Sequence, residues 1–293
     1  MTTKKPFNLE VYLREQAGRI EAAIDGVLPA ADERPSVLHS AMRYAVFTGG
    51  KRLRPVLCLA ACTACGGDDE TAMMPAVALE LFHTYTLIHD DLPCMDNDAV
   101  RRGKPAVHVA FGEANALLAG DALQSLAFEL VARTTAPPPH HPNQLALELA
   151  LAAGSRGVVG GQVEDLASAG RLPDEPTITF IHLHKTADLF RAAVRLGAIA
   201  AGAHSENLAA MTQYGTALGL AFQITDDLLD VPPTATRQQV PSPSTCLAVY
   251  GDKEARRRAI ELTRDACSAL GNFDRTLAQP LVAAAEFALL RAS

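Results

Sequence analysis

The amino-acid sequence predicts an all-α fold, a single domain of packed helices spanning residues 1–293. Apolar residues recur at helical spacing along most of the chain, while the alternation typical of strands is scarce. Alanine and leucine, both good helix formers, dominate the apolar segments. Neither a linker nor a short-period repeat divides these segments, so we expect one helical bundle rather than two domains.

Capping and breaking residues set the expected helix ends. Asn8 is suited to cap a first helix and Ser36 a second, which Gly49-Gly50 would stop. A long helix would end before Pro93. The predicted helices are 8–28, 36–49, 55–65, 73–91, 113–133, 143–168, 177–202, 205–230, 252–270 and 274–291. The stretch Pro232–Pro243, rich in Pro, Ser and Thr, is predicted to be a mobile loop, either a lid or an ordinary connector.

Composition and charge narrow the class of partner. The net charge of −7 gives no electrostatic reason to expect nucleic acid or an anionic membrane surface. No apolar run is long enough to cross a bilayer, and no signal peptide is recognisable, so we expect a cytoplasmic protein without a membrane span. Cys62 and Cys65 form a CxxC pair, but the second ligand pair that a zinc site needs is missing, which favours reduced thiols.

Two acidic clusters each lie at the end of an apolar helical segment. The first contains Asp90, Asp91 and Asp96, and the second contains Asp226, Asp227 and Asp230. Carboxylates near a helix C-terminus repel one another and the helix dipole, so a hard cation would stabilise them. Either cluster alone could be a solvated helix end. Together they predict magnesium ions bridged by a substrate phosphate.

Basic residues recur near these clusters. The segment Gly49–Pro55 contains Lys51 and Arg54, which could bind a diphosphate without metal. Arg101 and Arg102 follow the first acidic cluster. Each of these patches taken singly would be an ordinary solvated surface. Cations beside chelating carboxylates make sense if the ligand is a diphosphate.

Four further polar residues are placed by helical spacing or by their neighbours. His83 lies about two turns before the first acidic cluster on the same face, and Gln223 shares a face with the second cluster. Lys185 and Thr186 follow two histidines early in another helix.

These motifs resemble, in type and order, those of the trans-isoprenyl diphosphate synthases, most closely the bacterial farnesyl diphosphate synthases. The matching segments are GGKRLRP, HTYTLIHDDLPCMDNDAVRRGKP, LAGDAL, GGQVEDL, HKT and GLAFQITDDLLD. The resemblance runs from about Arg34 to Asp230. It implies an isoprenoid-synthase-type helical bundle with a central active-site cavity, a homodimer, and head-to-tail condensation of isopentenyl diphosphate with dimethylallyl or geranyl diphosphate.

The resemblance also implies roles for individual residues. Asp90, Asp91 and Asp96 would hold two magnesium ions, and Asp226 a third, supported by Asp227 and Asp230. Arg101 and Lys185 would grip the allylic diphosphate. Isopentenyl diphosphate would be bound by Lys51, Arg54, His83 and Arg102, while Thr186 and Gln223 would line the reacting centre.

Product length is predicted from Tyr85. It precedes Asp90 by five residues, roughly 7.5 Å along a helix axis, where an aromatic ring could form the floor of the prenyl cavity. In the family an aromatic residue here, with the insertion in the first acidic motif, resembles the bacterial fifteen-carbon arrangement. Ten- and twenty-carbon synthases remain alternatives.

Two other functions remain open. A terpene cyclase shares the bundle and the first acidic motif, but GGKRLRP and DDLLD argue against it. A weakly active or non-catalytic partner subunit is suggested by the loop after Asp230, where Pro243 stands in place of the lysine usual in the family.

Overall fold

The computed structural model describes residues 7–230 and 245–291, and within them the chain is almost entirely helical. The helices are α1 (Leu9–Val27), α2 (Ser36–Phe47), α3 (Leu53–Ala64), α4 (Met73–Asp90), α5 (Val107–Phe111), α6 (Glu113–Arg133), α7 (Gln144–Ala153), α8 (Val158–Ser168), α9 (Glu175–Ile181), α10 (Asp188–Ala200), α11 (Ser205–Leu229), α12 (Cys246–Tyr250), α13 (Asp252–Ala269) and α14 (Gln279–Leu290). A 3₁₀ turn, Asp69–Ala72, precedes α4, and a π-helical turn, His182–Ala187, joins α9 to α10. The all-α prediction is confirmed.

Several predicted boundaries are correct and others are not. The Asn8 side chain caps α1 by accepting a hydrogen bond from the backbone N–H of Val11, at 3.1 Å. Ser36 does not cap α2; it is the first helical residue, and Pro35 occupies the capping position without a side-chain bond. The helix predicted over 143–168 is two helices, since α7 ends at Ala153 and a turn at 154–157 precedes α8. The last helix begins at Gln279 rather than at residue 274.

A short hairpin was not predicted. Strands β1 (Val100–Arg101) and β2 (Lys104–Pro105) pair antiparallel. Arg102 and Gly103 form the turn with φ of 53° and 75°, the left-handed conformation that tight hairpin turns require. The basic segment after the first acidic cluster is therefore a rigid turn rather than an extended tail.

The core is built around α4 and α10. Helix α4 packs on α3 and α6, and α10 packs on α3 and α11, which in turn packs on α13. Both α4 and α10 are buried over most of their length, as expected for central helices of a bundle. The described residues contain no helix that is long and apolar enough to cross a membrane.

Candidate active site

The two acidic clusters border two adjoining cavities. Asp90, the last residue of α4, lines a cavity of 440 Å³, and Asp226, in the last turn of α11, lines a cavity of 740 Å³. Arg54 and His83 line both cavities, so the two spaces meet at these side chains. The motifs predicted to act together are thus brought to neighbouring sides of one site.

Within the first cluster the two adjacent aspartates have different surroundings. Asp91 is 2% exposed and accepts a hydrogen bond from Arg101 Nε on its Oδ1, at 2.9 Å, and a second bond from Nη2. Arg101 also donates to Asp98. In the described part of the chain the carboxylate of Asp90 has no ion-pair partner, and burial raises the pKa of Asp90 to about 6. Asp90 therefore faces the cavity without a bonded cation, although Lys185 and Arg101 partly oppose the rise in its pKa, while Asp91 faces its own hairpin.

The second cluster repeats this division. Asp227 is 4% exposed and accepts hydrogen bonds from Gln223 Nε2, at 2.8 Å, and from the backbone N–H of Cys246, at 2.7 Å. His182 Nε2 lies 3.2 Å from Oδ2 of the same carboxylate. Burial alone would raise the pKa of Asp227, but His182 and the other donors hold this pKa below its ordinary value. The second aspartate of each pair is thus satisfied by protein groups.

The remaining acidic residues suit a hard cation. Burial raises the pKa of Asp96, Asp226 and Asp230, and neighbouring carboxylates add to this shift. Oxygen donors that are costly to keep charged without a counter-ion are the ligands that magnesium prefers. Among the described residues, no three His, Cys, Asp or Glu side chains converge closely enough to hold an ion. A magnesium ion held here would complete its coordination with water or with a substrate phosphate.

Lys185 and Thr186 lie on the π-helical turn beside the smaller cavity. Lys185 Nζ donates to Asp165 Oδ2 at 2.5 Å, and Thr186 Oγ1 donates to Gln223 Oε1 at 2.7 Å. Helix α8 approaches this turn at Gly161, where a Cβ atom would lie 2.2 Å from the backbone N of Lys185. The glycine is therefore required for the close packing that positions Lys185.

Three of the predicted basic residues, Lys51, Arg54 and Arg102, line the larger cavity. Arg54 Nη1 lies 3.2 Å from His83 Nε2, and its guanidinium stacks over the ring of Phe190 at 4.6 Å. Burial lowers the pKa of Arg54 to about 10, and burial together with Arg54 lowers the pKa of His83 well below its ordinary value. His83 is therefore neutral and accepts from Arg54. The buried Arg54 Nε has no hydrogen-bond partner among the described residues, as expected if an anion completes the site.

The glycine pair before Lys51 allows a close backbone approach. Arg102 donates to the carbonyl oxygen of Gly49, and a Cβ atom at Gly50 would lie 2.7 Å from Arg102 Nη1. Gly50 also has a φ of 137°, which L side chains rarely adopt. Lys51 is exposed at the rim, with Nζ 5.3 Å from the centre of the Phe287 ring.

Arg291 is a site residue that the sequence did not reveal. It follows α14, and its Nη2 lies 2.8 Å from Asp226 Oδ1. Its guanidinium lies over the ring of Phe222 at 4.7 Å, and its buried Nη1 has no hydrogen-bond partner in the described residues. An arginine near the chain end carries no local pattern, so only the tertiary contact identifies it.

The smaller cavity continues from the acidic end into an apolar channel. Its apolar wall is formed by Leu87, Met95, Val158, Val159, Val163, Leu166 and Leu189. Tyr85 is among its lining residues, is 6% exposed, and contacts Phe82 and His89 edge-to-face with ring centres 4.7 Å and 5.3 Å away. The site can thus hold an anionic group at its mouth and an apolar tail within.

Comparison with known proteins agrees with this geometry. Residues 35–240 match the family model of the polyprenyl synthetases. The chain is 42% identical to a chloroplastic geranylgeranyl pyrophosphate synthase of Capsicum annuum, with 99% of this chain and 80% of that protein covered. It is 40% identical to a chloroplastic geranylfarnesyl diphosphate synthase of Leucosceptrum canum, over 97% of this chain and 81% of the relative.

Solved structures share the whole fold. An FPP/GFPP synthase from Zymomonas mobilis superposes with a TM-score of 0.85 at 38% identity, covering 96% of this chain and 99% of that chain. A geranyltransferase from Legionella pneumophila gives a TM-score of 0.85 at 32% identity, covering 97% and 98%.

Proposed function

This chain belongs to the polyprenyl synthetase family, and we propose that this prenyltransferase adds isopentenyl diphosphate to an allylic diphosphate, with farnesyl diphosphate as its product. The observation that carries the proposal is the pair of adjoining cavities. One is lined by cations and the other is apolar beyond its acidic mouth, and each borders an aspartate whose pKa is raised.

The smaller cavity is the proposed allylic subsite. Its diphosphate would lie between Asp90 and Lys185, which line this cavity, with Asp96 near Lys185, and its tail would extend along the apolar wall towards Tyr85. Arg101 would act from the edge of this subsite, since it already holds Asp91. Burial works against the charge on Lys185, but Asp165 raises the pKa of Lys185, so this amine stays a cation.

The larger cavity is the proposed isopentenyl diphosphate subsite. Lys51, Arg54 and Arg102 supply positive charge, and neutral His83 supplies a ring N–H. We expect Lys51→Ala to raise the Michaelis constant for isopentenyl diphosphate and to leave that for the allylic substrate unchanged. The opposite pattern would exchange the two subsites.

Up to three magnesium ions held by Asp90, Asp96, Asp226 and Asp230 would neutralise the diphosphate leaving group. Asp91 and Asp227 would support these ligands from behind, because their own oxygens are already occupied. Lys185 stabilises the charge that builds on the leaving oxygen as the allylic C–O bond breaks. The double bond of isopentenyl diphosphate then attacks the allylic carbon, next to the Thr186–Gln223 dipoles, and the lost proton passes to the released diphosphate.

Product length is proposed from the floor of the smaller cavity. Tyr85 would stop the tail at fifteen carbons, and Thr86 beside it is too small to stop it at ten. The names of the plant relatives favour a second candidate, a twenty-carbon product.

Incubation with labelled isopentenyl diphosphate and dimethylallyl, geranyl or farnesyl diphosphate separates the fifteen- and twenty-carbon candidates by the chain length formed. Elongation also excludes a non-catalytic subunit, and a cyclic hydrocarbon would indicate a terpene cyclase.

Assembly and location are proposed as a cytoplasmic homodimer. The apolar residues Leu117 and Leu118 on α6 are 46% and 54% exposed, which supports a partner on this face. One plant relative is the large subunit of a heterodimeric synthase, so a mixed assembly is the alternative. Light scattering of the purified chain would give the mass of the assembly.

The predicted loop Pro232–Pro243 lies outside the described residues, so its role stays a prediction.

A further inference from the structure

Arg52 lies between two residues of the proposed isopentenyl diphosphate subsite, yet its side chain points into the protein. It is 2% exposed, and its backbone has a φ of 49°. Lys51 before it stands at the rim of the cavity, and Arg54 after it lies in the first turn of α3. Of the three cations in this segment, Lys51 and Arg54 therefore line the cavity, while Arg52 is buried in the protein.

The guanidinium of Arg52 ties three helices together. Its Nη1 donates to Glu80 Oε1 on α4 at 2.7 Å, and its Nη2 donates to the carbonyl oxygen of Val46 on α2 at 2.6 Å. Its Nε donates to Glu21 Oε1 on α1 at 3.2 Å. This planar fork fixes the turn in which Lys51 sits and the point at which α3 begins.

Net stability is a weak reason for such a pair. Glu80 is also 2% exposed, and desolvating two charges offsets most of their mutual attraction. The left-handed backbone of a non-glycine residue adds strain to the same segment. Desolvation of the ion pair and backbone strain are both unfavourable. The segment therefore keeps this conformation only because the surrounding contacts hold it in place.

Glu80 also acts on the neighbouring cations. Arg54, Arg102 and Arg291 line the larger cavity together with Lys51, while Glu80 and Asp226 are its acidic lining residues. Burial lowers the pKa of Arg54 and of Arg102, and the charge of Glu80 opposes both shifts. Before any anion binds, Glu80 therefore keeps mutually repelling arginines close together.

We propose that the buried Arg52–Glu80 pair is a positioning device that sets Lys51, Arg54 and Arg102 in their diphosphate-binding arrangement before the substrate arrives. This rests on the proposed function, because it assumes that these three residues bind isopentenyl diphosphate. Preorganised cations lose less entropy on binding, so the pair is expected to act on affinity for this substrate rather than on the chemical step.

The test is Glu80→Gln, which keeps the shape of the side chain and removes its charge. We expect the Michaelis constant for isopentenyl diphosphate to rise roughly ten-fold or more, because cations that are no longer preorganised lose more entropy when they bind the substrate. The Michaelis constant for the allylic substrate and the turnover number are expected to change only a few-fold. Calorimetric titration of the metal-free protein with isopentenyl diphosphate should give the same loss of affinity.

The chain offers a matched control. Arg195 donates to both oxygens of Glu148, at 2.5 Å and 2.9 Å, in a second ion pair whose carboxylate is 6% exposed. This pair joins α10 to α7, and neither residue lines the two proposed subsites. Glu148→Gln should lower the melting temperature without changing either Michaelis constant.

A second variant, Arg52→Lys, tests the same proposal if Glu80→Gln fails to fold. Arg52→Lys keeps a cation opposite Glu80 but lacks the fork that reaches Val46 and Glu21, so it should raise the same Michaelis constant by a smaller factor. If the wild type elongates and Glu80→Gln behaves like Glu148→Gln, the positioning role is wrong. If Glu80→Gln and Arg52→Lys both fail to fold while the control folds, the pair serves stability and the inference is also wrong. An inactive wild type would instead refute the proposed function.

Discussion

At the end of α4 the buried aspartate is held by a cation, whereas at the end of α11 its counterpart is held by an amide, a backbone N–H and an imidazole. Asp91 pairs with Arg101, while Asp227 is bonded by Gln223 and Cys246 and lies beside His182. For the two aspartates that face the cavities, the ion pair is found at the other helix end. Asp90 has no ion-pair partner in the part of the chain described, while Asp226 pairs with Arg291. Each aspartate pair therefore has one arginine partner. At the end of α4 the arginine pairs with the second aspartate, and at the end of α11 it pairs with the first.

This difference teaches that the position of a carboxylate in a motif does not by itself fix its role. Asp90 and Asp226 are equivalent in sequence, but only Asp226 is paired with a protein cation that a metal ion would compete with. We expect the first helix end to bind magnesium without this competition. The second should bind it against the competition of Arg291.

The largest effect should come from removing the cavity-facing carboxylates. Asp90→Ala and Asp226→Ala are each expected to lower turnover by on the order of 10³-fold or more, because leaving-group stabilisation is the main catalytic term. Steady-state assays at saturating magnesium would measure this loss. Asp32→Ala, at an exposed position between α1 and α2, serves as the control. Near-normal turnover in either variant would contradict a two-sided metal site.

Replacing the buried aspartates should cost less. Asp91→Asn and Asp227→Asn keep the side-chain shape but weaken the bonds to Arg101 and to Gln223. Turnover is expected to fall roughly ten- to hundred-fold, as for a misplaced neighbour, while the half-saturating magnesium concentration changes only a few-fold. A magnesium titration of activity separates the two effects. A loss as large as that of Asp90→Ala would make these residues direct ligands.

The contact between Arg291 and Asp226 should compete with magnesium. Arg291→Met removes the cation and keeps an apolar side chain over Phe222. An ion pair that is partly exposed is worth about 1 kcal/mol or less, so metal affinity at the second site should tighten by only a few-fold. Calorimetric magnesium titration in the presence of inorganic diphosphate would detect it. Arg275→Met, at an exposed position, is the control, and weaker binding in Arg291→Met would show that Arg291 assists the metal instead.

A separate effect, on stability rather than on activity, concerns pH. The folded-state pKa of Asp90, about 6, exceeds the ordinary value of 3.8, so the folded protein binds more protons than the unfolded chain between these values. Stability of the metal-free protein should therefore fall as pH rises through this window. Asp90→Asn removes this term, so its melting temperature in chelator should exceed that of the wild type at pH 7.5, with the gap closing towards pH 4. Parallel melting curves would mean that Asp90 is not desolvated.

Local patterns predicted the parts of the site that depend on local structure. The helices that end in the acidic clusters follow from apolar spacing and a following proline, and Asn8 caps its helix as its side chain predicts. Helical spacing also placed His83 and Gln223 beside the clusters. Because these features need only neighbours along the chain, no knowledge of the tertiary fold was required.

The remaining features depend on contacts between distant segments. Nothing local separates Arg52 from Lys51 and Arg54, yet α1, α2 and α4 together draw Arg52 inward. The division of labour within each aspartate pair depends on a hairpin at residues 100–105 and on Cys246, and Arg291 lies near the other end of the chain from Lys51. The hairpin itself was missed because two-residue strands are too short for a periodic pattern.

The π-helical turn at 182–187 has a consequence for helical phase. In a regular α-helix, consecutive side chains diverge by about 100°. Lys185 and Thr186 are consecutive residues of the widened turn, and both line the smaller cavity. The same turn resets the phase of α10, whose following residues are buried against α3 and α11. Deleting one residue here would swing that buried face by about 100°, so the length of this turn is coupled both to the site and to the packing of the bundle.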